Sequence, residues 1–499
     1  MLYNKRYFAI ILILLLTGTT SCKKWFDLKP SDGIVNEDYW KTKEDVHAAV
    51  IGAYASLLGD PAGSDSRDLS EILFLWGELR ADMLAPSTGT KAEDYEVMNM
   101  NTSPANTITD WKPLYRTINY CNTILRNAPE VMNLDKTLTQ DVLNGYLAEA
   151  KSLRALLYFY LVRSFGDVPL KLEPTTSDDE IVTLPKSTQQ EVLQQILADL
   201  NDAESKALLT YGAQASDKGR ITRYTINAIQ ADVYLWMEQY NDAITACNKV
   251  INAKKFGLIS GSTAWYNTLY YSGNSNESLF EFQFNKQKIN NFLYMFYNVK
   301  RFVASTVVMD QVYSTESFNK DIRGDGASVR AADNLIWKYV GKNDKDVRAT
   351  DEAYAHWFVY RYADILLLKA EALAQLKTET ACTEALNLVY TIRQRANALP
   401  STDNAPSAVD FDGVARFVLE EQAREQMYEG KRWYNLLRFA KRNNYAHLDV
   451  LLDLVSVTVP LNMMNSAKAK IRDYNSHYFP IYQYELQTNK SLVQNPFYK

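Results

Sequence analysis

Cysteine is sparse in this chain. Cys22, Cys121, Cys247 and Cys382 are the only four in 499 residues, and no two stand in a CxxC spacing. That excludes a cysteine-built zinc site, a dithiol redox motif and a fold that depends on many disulfides. Cys121, Cys247 and Cys382 fall inside helical patterns, where a thiol acts as a small buried side chain. Histidine is equally thin: His47, His356, His447 and His477 are scattered, with no HExxH spacing, so structural roles are expected for all four. There is no basic surplus either. A net charge of −5 offers no surface for phosphates, which excludes nucleic acid as a partner. Two motifs that could hold a cofactor fail. Asp321-Ile-Arg-Gly-Asp-Gly326 begins like a calcium loop, but Arg323 fills its third position and Ala332 its twelfth. Gly324-Asp-Gly326 neither follows a strand nor opens a helix, as a dinucleotide loop requires. No cofactor or metal is expected.

Long apolar runs are also missing, except for Phe8–Leu16, which is far short of the ~20 residues of a membrane span. Lys5 and Arg6 precede that run, and Thr17-Gly-Thr-Thr-Ser-Cys22 follows it. A positive start, a short apolar stretch and small residues make a secretory signal. The ending in Cys resembles a bacterial lipobox, although Thr19 stands where Leu is usual. Residues 1–21 are therefore expected to be a lipoprotein signal peptide. Cys22 would become the lipidated first residue, and residues 22–36 the anchor and tether. More than one acyl chain would hold the protein on a membrane, at ~0.8 kcal/mol per buried CH₂. Loss of Lys5 and Arg6 leaves the mature chain two charges more negative.

What is abundant is aromatic: 33 Tyr, 19 Phe and 9 Trp. Most such rings belong in a core. Helical periodicity dominates the rest. Helices are expected over Glu37–Leu58, Glu71–Leu79, Asp110–Asn127 (stopped before Pro129), Leu138–Ser164 and Ser187–Ser205. Ala85–Pro104 reads as a polar, turn-rich loop. Thr225–Ala253 carries Ala231, Tyr234, Tyr240, Ala243, Cys247 and Val250 at tetratricopeptide-like spacings. Tyr360–Arg395 is a looser second copy, with a first helix so apolar that it must be buried on most sides. Between the copies, Lys254–Ala355 is rich in Gly, Asn, Ser and Tyr. It has a strand-like Ser278-Leu-Phe-Glu-Phe-Gln-Phe284, whose alternation puts Phe280, Phe282 and Phe284 on one face. Val414–Arg438 reads as one further helical region, with Glu421, Glu425 and Glu429 on one face and Arg424 and Arg432 within pairing distance. That pattern suits an ion-pair ladder better than the two carboxylates flanking one bond that glycoside hydrolysis needs. The tail from His477 onward is apolar and Pro-punctuated, as a segment packed on the body would be.

Several segments together resemble the SusD/RagB family, surface lipoproteins of Bacteroidota-type bacteria. They are Cys22; Trp111-Lys-Pro-Leu-Tyr115; Glu149-Ala-Lys-Ser-Leu-Arg-Ala155 with Phe165-Gly-Asp-Val-Pro-Leu170; and Asn276-Glu-Ser-Leu-Phe280. Asp321-Ile-Arg323, Arg361-Tyr-Ala-Asp364, Glu421…Glu425…Glu429-Gly-Lys-Arg-Trp433 and Phe479-Pro-Ile…Gln494-Asn-Pro496 complete the set. Phe358, Gln422 and Asn435 depart from the family's usual Pro, Arg and Asp. The resemblance implies a mainly α fold of four tetratricopeptide-like hairpins that supports a loop-rich, partly β variable region. It divides residues 37–499, one domain, into an N-terminal part (37–220), a repeat hairpin (221–253), a ligand-binding insertion (254–355) and a C-terminal part (356–499). It also implies a non-catalytic role on the exterior of the outer membrane, capturing a glycan, or sometimes a peptide, for a SusC-like TonB-dependent transporter. A lipid-anchored glycosidase and a pure protein scaffold are the competing classes.

Sugar recognition needs flat rings against the C–H face of a pyranose and polar groups for its hydroxyls. Binding residues sit on loops held by rigid elements. The insertion offers Trp265, Tyr266, Tyr270, Tyr271, Tyr294 and Tyr297. By resemblance, the loop after the second N-terminal helix adds Arg80, Asp82, Tyr95 and Asn101. Trp337 and Trp357 flank framework segments and are expected to be packing residues.

Overall fold

A computed structural model describes residues 39–60, 67–175, 183–313, 321–399 and 405–499. The expected signal peptide, Cys22 and the expected tether lie outside the described residues. Helices build the scaffold: α1 (Lys43–Ala55), α2 (Leu69–Glu78), α3 (Ala92–Met98), α4 (Lys112–Leu134), α5 (Gln140–Phe165), α6 (Gln189–Glu204), α7 (Gln214–Gly219), α8 (Arg223–Trp236) and α9 (Tyr240–Asn252). They continue as α10 (Tyr362–Ala374), α11 (Glu379–Arg395), α12 (Phe411–Glu425) and α13 (Arg432–Tyr445). Packing follows a line from α1 to α4, α5, α6, α8, α9, α10, α11 and α12. The α8–α9 and α10–α11 hairpins are therefore neighbours in space. The hundred or so residues between them in sequence are looped out from a continuous stack. No helix among the described residues is long and apolar enough to cross a membrane.

Local chemistry explains most of these boundaries. Thr139, Thr188, Thr222 and Thr378 cap α5, α6, α8 and α11 by accepting N–H bonds from the first turn, each such cap contributing ~1 kcal/mol. Gly166, at φ +77°, ends α5. Helix α10 is buried on nearly every side, as its composition requires. Of its two charged residues beyond the first turn, Lys369 reaches Glu384 (2.6 Å) and Glu371 takes Arg438 (2.7 Å).

Three boundaries differ from expectation. Helix α4 runs through Pro129 to Leu134 instead of stopping before it. Pro129 is on the solvent side, where water can take the carbonyl that the missing N–H frees. The Ala85–Pro104 segment is not all loop; it holds a strand, β1 (Leu84–Pro86), and α3. Val414–Arg438 is two helices, not one. Tyr428 (φ +62°) and Gly430 (φ +68°) turn the chain between α12 and α13. Glycine is required where α2 meets this turn: a Cβ on Gly77 of α2 would lie 1.9 Å from the Gly430 carbonyl oxygen.

The insertion contributes short strands and single helical turns. β2 (Ser278–Phe282) pairs antiparallel with β6 (Trp357–Arg361), and β3 (Phe302–Ala304) pairs with β1. β4 (Val329–Arg330) pairs with β5 (Leu335–Ile336). β2 is buried on both faces, so its pattern is wholly inward rather than one-sided. The C-terminal tail is packed as expected: Phe479 is buried, and its N–H donates to the Ser164 carbonyl at the end of α5 (2.8 Å).

Candidate functional site

What fastens the insertion to the helices is a buried ion network. Arg361, at the end of β6, forks onto Glu277 (2.8 Å) and Glu429 (2.9 Å) and also pairs with Glu425. Arg395 joins Glu277 (2.8 Å) and Glu425. Arg323 binds Asp321 (2.7 Å), Glu421 (2.6 Å) and Glu425 (2.8 Å), and Lys338 binds Glu429 (3.0 Å). Glu277, Asp321, Arg323 and Lys338 come from the insertion; the others come from the scaffold. Burial alone would raise the carboxyls, but Arg395, Arg361 and Arg323 hold Glu425 well below the usual range. Likewise Arg361, Lys338 and Lys431 hold Glu429 at about 2 against the same penalty. The glutamate face is thus an ion-pair structure, though with other partners than sequence spacing suggests. Arg424 does pair with Glu421 (3.2 Å), whereas Arg432 turns to Asp82 (2.7 Å). All three glutamates are sealed from solvent, so none can reach a bound saccharide.

Outside this network, the insertion meets the loop after α2. Antiparallel pairing of β1 with β3 lays the loop after α2 beside the turn Tyr294–Asn298. Gly89 N–H donates to the Lys300 carbonyl (3.1 Å), and a Cβ there would fall 2.1 Å from the Val299 oxygen. Arg301 then cross-ties the two elements. It forks onto Asp94 of α3 (2.8 and 2.5 Å) and reaches Glu71 of α2 (3.0 Å). In the turn, Met295 and Phe296 point inward, Phe296 packing 5.2 Å from Phe74. Tyr294 and Tyr297, three residues apart, are left outside with 54% and 41% of their surface exposed, and Tyr95 on α3 with 42%. These rings are candidates for ligand contact because they are exposed on cross-tied elements.

An open cleft of about 610 Å³ borders the same elements. Its walls include Arg67, Asp68, Glu71, Lys91, Thr107 and Asn291. Lys91 begins α3, and Asn291 stands three residues before Tyr294. The charged groups are largely committed to one another. Arg67 reaches Glu93 (2.7 Å) and the Thr107 carbonyl (2.9 Å). Glu71 accepts from Asn291 (2.9 Å). Asp68 caps α2 through the Glu71 N–H (2.9 Å), and burial pushes its carboxyl up to about 6. The cleft therefore presents amide, hydroxyl and paired charged groups rather than one net sign.

Four of the expected contact residues are elsewhere in the protein's economy. Trp265 is 2% exposed, edge-on to Tyr270 at 5.2 Å. Tyr266 is buried, and its hydroxyl faces the carbonyls of Trp337 (3.0 Å) and Gly341 (3.1 Å). Arg80 is 3% exposed, its guanidinium lying over Trp433 (4.3 Å) and Phe479 (3.8 Å). Asp82 is buried and takes the fork of Arg432 (2.8 and 2.7 Å). All four are packed into the framework of this structure: Trp265 and Tyr266 fill the insertion's own small core, and Arg80 and Asp82 are tied to the helices and the tail. Tyr270 is likewise buried, and Tyr271 donates to Glu352 (2.8 Å). Asn101 is exposed and accepts from Lys470 (2.7 Å), so it stays with Tyr95, Tyr294 and Tyr297 as a candidate. Trp337 and Trp357 are buried packing residues, as expected. The clamp Arg301 escaped sequence reading because its partners Asp94 and Glu71 are 207 and 230 residues away. Phe358, Gln422 and Asn435 fit their surroundings: Phe358 is core, Gln422 donates to Glu371 (2.6 Å), and Asn435 bridges Gln426 (2.7 Å) and Arg438 (3.0 Å).

Residues 236–498 match the family model described as SusD family, and residues 31–235 match one described as starch-binding associating with outer membrane. Among curated relatives, SusD-like protein P38 of Formosa agariphila is 28% identical over 481 residues, covering 86% of this chain and 90% of that protein. SusD-like protein P25 of the same organism is 22% identical, covering 97% of each. A SusD superfamily protein from Bacteroides vulgatus superposes with a TM-score of 0.72 at 21% identity, over 92% of this chain and all of that one. A SusD homolog from Bacteroides thetaiotaomicron does so with a TM-score of 0.73 at 19% identity, over 92% and 98%. These solved structures share the fold.

Proposed function

This chain belongs to the SusD family, and from that premise we propose that it is a nutrient-capture protein of the outer membrane that binds a glycan and does not cleave it. In this reading Cys22 carries the lipid anchor, the folded domain faces the exterior, and the captured ligand passes to a SusC-like TonB-dependent transporter. The observation that carries the proposal is the trio Tyr95, Tyr294 and Tyr297, exposed on elements that Arg301 locks together beside a polar cleft. Tyrosine rings cover the apolar face of a sugar, and the amide and hydroxyl groups nearby can serve its hydroxyls. Rigid mounting lowers the entropy lost on binding. Asn101 stands at the end of the same loop and completes the candidate set.

The glycosidase alternative finds less support. Catalytic carboxylates must flank one bond with their oxygens free. Glu421, Glu425 and Glu429 are buried in ion pairs, and Asp68 and Glu71 are occupied in a helix cap and the Arg301 clamp. The test is binding of the purified chain to plant, microbial and host polysaccharides and to a peptide mixture, with product analysis on any hit. Saturable glycan binding without new reducing ends supports capture. Peptide binding alone would move the assignment to a RagB-like peptide role, and turnover would replace it with an enzyme.

A further inference from the structure

One glycine stands inside a helix without a packing reason. Gly145 is buried in the second turn of the 26-residue α5, where glycine weakens a helix relative to alanine. At Gly77 and Gly89 a Cβ would strike a backbone oxygen; at Gly145 it would meet only the Leu208 Cγ, at 3.9 Å, an ordinary contact. What the missing side chain does is leave room. A pocket of about 250 Å³ opens there, between α1, α5 and the connection from α6 to α8. His47 of α1, Val142 and Tyr146 of α5, and Leu208 and Tyr211 of the connection give it walls. The His47 and Tyr146 rings lie 5.9 Å apart, and Leu208 keeps 46% of its surface exposed.

Its titratable lining is Glu149, Arg220, Asp141 and His47, with the Tyr146 and Tyr211 phenols. Arg220 forks onto Glu149 (2.9 and 2.6 Å), which also accepts from the Tyr54 hydroxyl (2.8 Å). The same guanidinium lies 4.0 Å over the Tyr211 ring, and the Tyr211 hydroxyl donates to the Ile221 carbonyl (2.7 Å). Partial burial and then Arg220 push the His47 imidazole down, with Lys43 adding to this and Glu44 opposing it, so the ring is uncharged at neutral pH. Asp141 is exposed in the first turn of α5, where the helix dipole favours a carboxylate. The lining therefore carries one negative charge, and Lys43, Glu44, Asp135 and Asp217 beside it do not reverse the sign. A ligand here meets flat rings and aliphatic groups, finds Glu149 and Arg220 already paired, and gains nothing from being an anion. An apolar cavity of ~150 Å³ takes a single benzene ring, so the larger space here admits one ring or two fused ones.

We propose that this pocket is a binding site for a small, uncharged, flat aromatic molecule of one or two rings, seated against Tyr146, Tyr211 and His47 in the space that Gly145 leaves. Ring pairs attract at centroid distances of ~4.5–7 Å, edge-on or offset, and that preference selects an aromatic over an aliphatic ring of the same size. The pocket shares no residue with the tyrosine face, so it stands or falls independently of the capture reading.

Titration of the full chain in mild detergent tests it, with indole, indole-3-carboxylate and cyclohexanol as probes. Calorimetry gives the affinity, and NMR of labelled histidine gives the place, since His47→Gln identifies one signal among four. Indole is expected to bind saturably and to shift the His47 signal by its ring current. Indole-3-carboxylate and cyclohexanol should bind about fivefold more weakly or worse. Gly145→Leu fills the space and should weaken indole about tenfold or more. Its melting at or above the wild-type Tm would show an intact fold. Should leucine lower the Tm instead, Tyr146→Ala reads the same site, with an expected loss of about fivefold. The proposal is overturned by an absence of saturable indole binding, by a His47 signal that does not move, or by full affinity in the folded Gly145→Leu or Tyr146→Ala protein. Binding of the carboxylate or of cyclohexanol as tight as that of indole overturns it as well.

Discussion

Arg361→Met isolates the ion network that joins the insertion to the scaffold. The methionine fills much of the arginine's volume, so the change is electrostatic rather than a cavity. It strands Glu277, Glu425 and Glu429, which now share Arg395, Arg323, Lys338 and Lys431. Removing one partner from a buried pair costs ~3–5 kcal/mol, because the remaining charge is left desolvated. Unfolding entropy is ~2.1 cal/mol/K per residue, so a domain this long loses roughly 1 kcal/mol of stability per kelvin near its midpoint. Scanning calorimetry should therefore show Tm lower by about 3–5 °C. The double variant Arg361→Met with Glu425→Gln should recover part of that loss, since it removes one stranded charge. A single variant that melts within about 1 °C of the wild type would show that the network contributes register and not stability, and would refute this reasoning.

Other outcomes follow from the same geometry. Glu371 and Glu429 are both held at about 2 by their arginine and lysine partners against the burial that would raise them. With folded values below the unfolded ~4.3, their stabilisation is present above that pH and is lost as pH falls toward 2; acid titration followed by circular dichroism reads it. Burial pushes Glu78 the other way, to about 8. Its stabilisation is fully present below ~4.3 and declines as pH rises through 8, so Glu78→Gln should flatten the fall in Tm between pH ~4.5 and ~8. Gly77→Ala should lower Tm by several degrees or block folding, because its Cβ would meet the Gly430 oxygen at 1.9 Å. Trp265→Ala should cost ~3–5 kcal/mol in denaturant unfolding, the value for a buried aromatic.

Much of the architecture is legible in the residues. The apolar girth of α10, the small–large alternation of α8 and α9, and the Gly-then-Pro end of α5 are local signals. The tail around Phe479 also packs as its composition suggests. Boundaries set by distant contacts are not legible. Gly430 breaks the α12–α13 run because α2 approaches it across about 350 residues of chain. Pro129 sits inside α4 because only the position of solvent decides whether a lost bond matters. The same limit governs the site. Trp265 and Tyr294 look alike in sequence, both aromatic in a loop-rich stretch, and only the fold of the insertion buries one and exposes the other. Asn101, Tyr95, Tyr294 and Tyr297 remain from the sequence reading; the Arg301 clamp and the cleft at Arg67 came from three-dimensional proximity alone.

The central claim is non-hydrolytic capture of a glycan on the face that carries Tyr95, Tyr294 and Tyr297. Calorimetric titration of wild type and Tyr294→Ala/Tyr297→Ala protein, using whichever polysaccharide the panel selects, tests it most directly. The account predicts saturable binding without cleavage by the wild type. In the double variant it predicts affinity at least tenfold weaker, as expected for the loss of ~1–3 kcal/mol of ring contact, with unchanged Tm. Cleavage of the polysaccharide, or full affinity in the double variant, would contradict it.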